Sequence, residues 1–275
     1  MLVLAFLLLI PISQSTTVMS YEISQSTTAM SHEVENQTEF DYMVWSGKGP
    51  DRWGDIHPEW SACKQGGLQS PIDLLNKRVA LIPALGLLKR TYKPTNATLK
   101  NRGHDIMLKW EHGAGTIQIN GIKYELSQVH WHSPSEHTID GKRFDVEVHM
   151  VHLSLDPNAA NKIAVLGILY HIGRPDPFLN GLRDHLLYIA DSHKEVNIGV
   201  IDPRHIQMRG VNYYRYIGSL TVPPCTEGVI WTMNRDVGTI SKEQIDLLRA
   251  SVHDHSAQNA RPLQLLHDRD IHLYD

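Results

Sequence analysis

The stretch QVHWHSPSEHTIDGKRFDVEVHMVH, residues 128 to 152, sets imidazoles at alternate positions. In a strand, alternate side chains share a face, so Gln128, His130 and His132 are predicted to point one way and Val129 and Trp131 the other. A second strand, FDVEVHMVH, puts Glu147, His149 and Val151 on one face. Asp140-Gly141 supplies a turn between the two, so antiparallel pairing would bring His149 against His130 and His132. Three neutral imidazoles on a rigid sheet suit zinc, which accepts nitrogen ligands at roughly 2.0 to 2.1 Å and, with three protein ligands, keeps a fourth position for water. That is the arrangement of a catalytic centre, not of a structural one. Each ligand also needs its other ring nitrogen satisfied, and Gln128 and Glu147 each stand two residues before a histidine on the same face, within reach of that task. On spacing alone the pattern equally fits strand histidines satisfied by their neighbours, since the chain holds 17 histidines.

The elements that must position these residues read as mainly β. From about Phe40 onward, short apolar stretches alternate with Gly, Pro, Asn and Asp, and TIQINGIKYELSQVHWH, RFDVEVHMVHL and KIAVLGILYHIG all have strand character. Helical signals are few. Residues 177 to 193 place Leu179, Leu182, Leu186 and Ile189 at helical spacing, and Ser241 with Gln244 forms a capping box ahead of Ile245 and Leu248. The expectation is a single α+β domain, residues 40–275, built on a large, mostly antiparallel sheet with a few peripheral helices. A length of 275 residues, 41% hydrophobic residues and a formal net charge of -4 fit that domain and argue against disorder and against nucleic acid as a partner.

The apolar run MLVLAFLLLIPI is short for a membrane span and is followed by small polar residues, as in a signal peptide, with cleavage expected near Ser20. The usual positive residues are missing, since only Lys48 precedes Asp51 among Lys and Arg. Secretion, without a membrane span in the mature chain, is the expected route. Residues 21–39 read as a flexible leader containing most of a tandem duplication, ISQSTTVMSYE followed by ISQSTTAMSHE. Sequons at Asn36 and Asn96 agree with secretion. The two cysteines, Cys63 and Cys225, are an even number compatible with one bridge in an oxidising compartment.

SEHT at 135–138 and YRYIGSLTVPPCTEGVIW at 214–231, added to the histidine spacing, resemble alpha carbonic anhydrases. The resemblance runs from about Phe40 to the C-terminus and is closest in flavour to plant members, including nectarin and dioscorin relatives. It implies a ten-stranded twisted sheet with zinc, held by His130, His132 and His149, at the bottom of a conical cleft. The implied activity is reversible hydration of carbon dioxide to bicarbonate and a proton, with zinc-bound hydroxide as nucleophile. Thr221 is implied as the gatekeeper that accepts a hydrogen bond from the hydroxide while donating to the Glu136 carboxylate, which would aim a lone pair at the substrate carbon.

The same resemblance places Val151, Val165, Leu220 and Trp231 in an apolar wall that receives carbon dioxide, with Val222 following the gatekeeper where many animal members have a polar residue. His104, in KNRGHDIML, matches the proton shuttle, a role that suits a group titrating near neutrality. Arg102 and Met107 replace asparagines that order the water chain in fast animal enzymes, which implies slower transfer. Asn259 and Arg261, in NARPLQ, match residues that brace the metal strand and the sheet. Either Tyr42 or Trp45 matches the tyrosine at the cleft mouth. Secreted members pair the cysteines that match Cys63 and Cys225. Sulfonamide-type inhibitors and a monomer or homodimer are further expectations. Two other classes compete: a storage, carbohydrate-binding or defence protein on this scaffold, and an oxidoreductase. Loss of a zinc histidine would favour the first, and none is lost. The second lacks a glycine-rich dinucleotide fingerprint after a strand.

Overall fold

The alternating run Ile122–His132 forms one long strand at the middle of the sheet. The computed structural model describes residues 39–190, 195–250, 252 and 258–275. The expected signal segment, the duplication and Asn36 lie outside them. Labelled in chain order, the strands used below are β1 (Val79–Leu81), β2 (Thr95–Asn101), β3 (Ile106–Trp110), β4 (Thr116–Ile119) and β5 (Ile122–His132). They continue as β6 (Val146–Ser154), β7 (Ile163–Ile172), β8 (Glu195–Ile201), β9 (Tyr213–Ser219), β10 (Glu227–Asn234) and β11 (Ile271–Tyr274). The lateral order is β8-β2-β3-β5-β6-β7-β10-β9-β11-β1, with β4 paired to β5. This ten-strand path is mostly antiparallel; β7 with β10 and β11 with β1 are parallel, which makes the sheet mixed.

The predicted Asp140-Gly141 turn lies in a side hairpin. Asp140 and Gly141, both at positive φ, do not join β5 to β6 directly; they turn a small hairpin in which Thr138–Ile139 pairs with Lys142–Arg143. That hairpin is held aside by parallel pairing with Asp73–Leu74. The antiparallel register of β5 and β6 is formed regardless, with His149 opposite His130.

Alternation then sorts the two faces. Val129 and Trp131 of β5, Val148 and Met150 of β6, and Leu166 and Ile168 of β7 pack with helix α1 (Pro177–Ile189) through Phe178, Leu179, Leu182, Leu186 and Ile189. Each such side chain stabilises the fold by roughly 1.5–3 kcal/mol on burial. The histidines lie on the other face. Helix α1 begins where Asp176 Oδ1 accepts the Leu179 N–H at 2.9 Å. It is shorter than its sequence pattern, ending at Ile189, and residues 191–193 of the expected helix lie outside the described ones. Helix α2 (Lys242–Ala250) carries the expected capping box: Gln244 N–H donates to Ser241 Oγ at 3.3 Å and Ser241 N–H to Gln244 Oε1 at 3.1 Å.

A buried histidine outside the site gives the fold a pH dependence. His152 follows a bulge in β6, its Nδ1 lies 3.2 Å from the Ala164 carbonyl, and its Nε2 lies 2.8 Å from Tyr92 Oη. The carbonyl can only accept, so Nδ1 carries the proton and Nε2 accepts from the phenol. Burial pushes the imidazole down to about 4 from its ordinary 6.5. Because the folded value lies below the unfolded one, the neutral ring's stabilisation is complete above pH 6.5 and is lost as pH falls through 4. The expected loss is about 3 kcal/mol. Urea unfolding of a His152→Leu variant should show a flatter dependence between pH 7 and 4 than the parent. An unchanged slope would assign the effect to other groups.

Candidate metal centre

Register sets the site. His130 and His149 face each other across β5 and β6, and the ring centroids of His130, His132 and His149 lie 4.6 to 5.1 Å apart. One ring nitrogen from each falls within 4.8 Å of the other two, and all three residues are buried. Each ring is oriented from outside. His130 Nδ1 lies 2.9 Å from Gln128 Oε1, His132 Nδ1 lies 2.7 Å from the Asn259 carbonyl, and His149 Nε2 lies 2.7 Å from Glu147 Oε1. These oxygens accept, so those nitrogens carry the protons and His130 Nε2, His132 Nε2 and His149 Nδ1 present lone pairs.

Those lone pairs test the fit to a metal. His130 Nε2 and His149 Nδ1 are 3.2 Å apart, and His132 Nε2 is buried with no hydrogen-bond partner among the described residues. Two acceptor nitrogens that close repel each other unless a cation lies between them. Burial also pushes the His130 proton affinity well below the ordinary range, which keeps the ring in the neutral form that metals bind. Three convergent imidazole lone pairs, each backed by an acceptor on the far nitrogen, fit zinc.

Glu147 is the hub behind this arrangement. Its Oε1 accepts from His149 Nε2 and from His137 Nδ1 at 2.6 Å, while its Oε2 accepts the backbone N–H groups of Glu136 and His137 at 2.8 and 2.7 Å. Burial alone would push its carboxyl up, but His137 and His149 outweigh that and hold it well below the usual range. His137 Nε2 continues to Tyr216 Oη at 2.6 Å, and that oxygen to Ser70 Oγ at 2.8 Å. The sequence reading missed His137 and Tyr216, although both lie inside the motifs that carried the resemblance.

Glu136 and Thr221 are both buried, yet no hydrogen bond joins them as the resemblance implied. Glu136 Oε1 accepts the Arg261 N–H at 2.8 Å, while Oε2 has no hydrogen-bond partner among the described residues and lies 3.7 Å from His132 Nε2. Arg261 also donates to Gln69 Oε1, the Ser70 carbonyl and the Cys63 carbonyl, so it braces Glu136 against a distant loop. Asn259 ties the metal strand down: Oδ1 accepts the Ser133 N–H, and Nδ2 donates to the Trp131 and His104 carbonyls.

Val151, Val165, Leu220 and Trp231 fall in one apolar cluster, and the Trp231 ring centroid is 4.8 Å from that of His149. Val222 is separate, lying beyond the end of β9 in a cluster with Phe40, Tyr42, Trp53 and the two cysteines. Tyr42 is therefore the residue buried beside the Thr221 loop, whereas Trp45 is 85% exposed.

His104 sits in the β2–β3 connection and is buried, with its ring centroid 4.7 Å from that of Phe40 and its Nε2 3.8 Å from Asp105 Oδ2. Arg102 grips Asp105 with two hydrogen bonds of 2.7 and 2.5 Å. Burial opposes charge on Asp105, but Arg102, His104 and His130 together hold it far below the usual carboxylate range. Met107 lies opposite His130 across β3 and β5. Asp105 was not singled out from the sequence, because nothing local distinguishes it from a loop aspartate.

Cys63 and Cys225 are joined by a disulfide with a sequence separation of 162. Closing so long a loop stabilises by about 5 kcal/mol on chain entropy, and bridges more often deliver about 2–4 kcal/mol. Reduction should therefore lower the midpoint of thermal unfolding by roughly 5–15 °C. Free thiols in unreduced protein, or an unchanged midpoint, would contradict that. Asn96 is exposed on β2.

Comparison with known proteins agrees with this geometry. The sequence model described as eukaryotic-type carbonic anhydrase matches residues 48–275. Alpha carbonic anhydrase 7 of Arabidopsis thaliana is 53% identical over 241 residues, covering 87% of this chain and 86% of that protein. A crystal structure of dioscorin complexed with ascorbate superposes with a TM-score of 0.82 at 44% identity, covering 86% of this chain and 98% of that one. The alpha carbonic anhydrase of Thermovibrio ammonificans, in complex with the inhibitor sulfanilamide, superposes with a TM-score of 0.74 at 33% identity, covering 85% and 98%.

Proposed function

The chain belongs to the eukaryotic-type carbonic anhydrase family, and on that premise we propose that it is a zinc enzyme hydrating carbon dioxide to bicarbonate. The observation that carries the reading is the convergence of His130 Nε2, His132 Nε2 and His149 Nδ1, each ring fixed by an acceptor on its other nitrogen. Zinc held there supplies the Lewis acidity that makes water a nucleophile near neutral pH. Glu147, Gln128 and the Asn259 carbonyl keep the imidazoles in the binding tautomer. Glu136 Oε2 is the acceptor that the Thr221 hydroxyl must reach for the orienting relay to form. Val151, Val165, Leu220 and Trp231 offer the apolar surface that a molecule with no hydrogen-bond donors requires.

His104 exports the proton in this reading, with Asp105 beside it. Replacing His104 by Ala should lower maximal turnover roughly 10- to 100-fold at low buffer concentration, leave kcat/KM nearly unchanged, and respond to added imidazole. A variant matching the parent in every buffer would remove His104 from the pathway. The disulfide and the exposed Asn96 sequon support a secretory, oxidising compartment for the mature chain. The nucleophile itself is tested by hydrolysis of 4-nitrophenyl acetate: the reading expects weak activity that sulfanilamide and a chelator both abolish. Hydrolysis indifferent to both would count against it.

A further inference from the structure

The other face of the sheet holds a second polar site. Arg215 of β9 lies opposite Thr232 of β10 and His272 of β11. Its neighbour Tyr216 lies opposite Trp231, and Trp231 opposite Val165, which belongs to the histidine face. By alternation Arg215 therefore projects away from the metal ligands. It lines a cavity of about 340 Å³ together with Ile119, Asn120, Asn161, Arg269 and His272. Arg215 is only 8% exposed.

Among the described residues the guanidinium has no counter-charge. Its Nε donates to Thr232 Oγ1 at 2.9 Å and its plane lies 4.9 Å from the centre of the Tyr213 ring. Among the described residues nothing accepts from Nη1 or Nη2, and no carboxylate lies within ion-pair distance. Asp270, exposed at the rim of the same cavity, pairs with neither arginine. Arg269 spends its donors on the Leu266, Leu265 and Ile217 carbonyls, so it adds positive charge without offering a free fork. Arginine keeps its proton, and the terminal nitrogens of Arg215 keep access to the cavity it lines. An oxyanion there can take two parallel N–H bonds. A cavity of this size suits a small ligand.

We propose that this cavity binds a small oxyanion, an organic carboxylate or an inorganic anion such as sulfate, through the Nη1 and Nη2 donors of Arg215. Arg215 points away from the metal ligands, while Tyr216, which also lines the cavity, belongs to the hydrogen-bond chain behind Glu147. The test titrates sulfate and succinate separately into purified protein at constant ionic strength, by calorimetry, comparing the parent with Arg215→Met and Asn120→Asp. Asn120 stands at φ 50 in the Asn-Gly turn between β4 and β5, a conformation aspartate also takes, so this variant keeps the fold while adding a carboxylate to the cavity wall. Any binding at the metal centre is common to all three proteins, so only the difference between them counts. The expected result is saturable binding of at least one anion to the parent, weakened tenfold or more in both variants; which anion responds identifies the ligand class. If Arg215→Met does not fold, Asn120→Asp decides alone. Equal binding in parent and variants, or none in any of them, overturns the proposal.

Discussion

Replacing His132 by Ala should leave the purified protein without stoichiometric zinc and lower carbon dioxide hydration on the order of 10³-fold or more, because ligand contacts carry most of a binding free energy of about 10–16 kcal/mol. His132 is the sharpest choice of the three. Its Nε2 is the ring nitrogen buried without a hydrogen-bond partner among the described residues, and its Nδ1 is fixed by the Asn259 backbone carbonyl. The change also exposes a cost in the apo protein, since the Asn259 carbonyl loses its donor. Elemental analysis and unfolding midpoints separate the two effects. A His132→Ala protein that keeps one zinc per chain and parental activity would show that the imidazoles are not the ligands.

The second large effect is expected at Glu147. Its two oxygens receive four hydrogen bonds, from two imidazoles and two backbone N–H groups, and only a carboxylate can accept them all. In Glu147→Gln the amide nitrogen must face a donor, either the His137 and Glu136 backbone or the two ring N–H groups. One side of the hub is then broken. Zinc affinity, measured against a competing chelator, should fall roughly 10- to 100-fold. Stability to urea should fall by about 3–5 kcal/mol, the range for breaking a buried charged network. Parental zinc affinity in a folded Glu147→Gln protein would mean that His149 does not need its acceptor.

How much of this was legible in the sequence depends on how far apart the partners lie. Gln128, His130 and His132 share one strand, so period-two alternation alone put them on one face, and the same logic placed Glu147 beside His149. The capping box of α2 was equally local. Asn259 was legible only through a motif, because its carbonyl reaches His132 across 127 residues. The His137–Tyr216–Ser70 chain depends on three segments that meet only in the folded sheet, and spacing carries no trace of it. The turn at Asp140-Gly141 was read correctly as a turn but placed in the wrong connection, since nothing local says that a side hairpin will pair with Asp73–Leu74. Sheet order and the parallel pairs were beyond alternation for the same reason. His104 shows the limit from the other direction: its surroundings, Phe40 and the Arg102–Asp105 pair, bury a residue whose local sequence reads as an exposed loop.

Stopped-flow hydration of carbon dioxide, with protein as purified, after treatment with a zinc chelator, and after zinc is restored, decides whether the three histidines form a working zinc site. Hydration above the uncatalysed rate is expected in the first sample, its loss in the second and its return in the third, in proportion to zinc bound at His130, His132 and His149. A well-folded protein with bound zinc and no hydration above background, or hydration that survives removal of the metal, would contradict it.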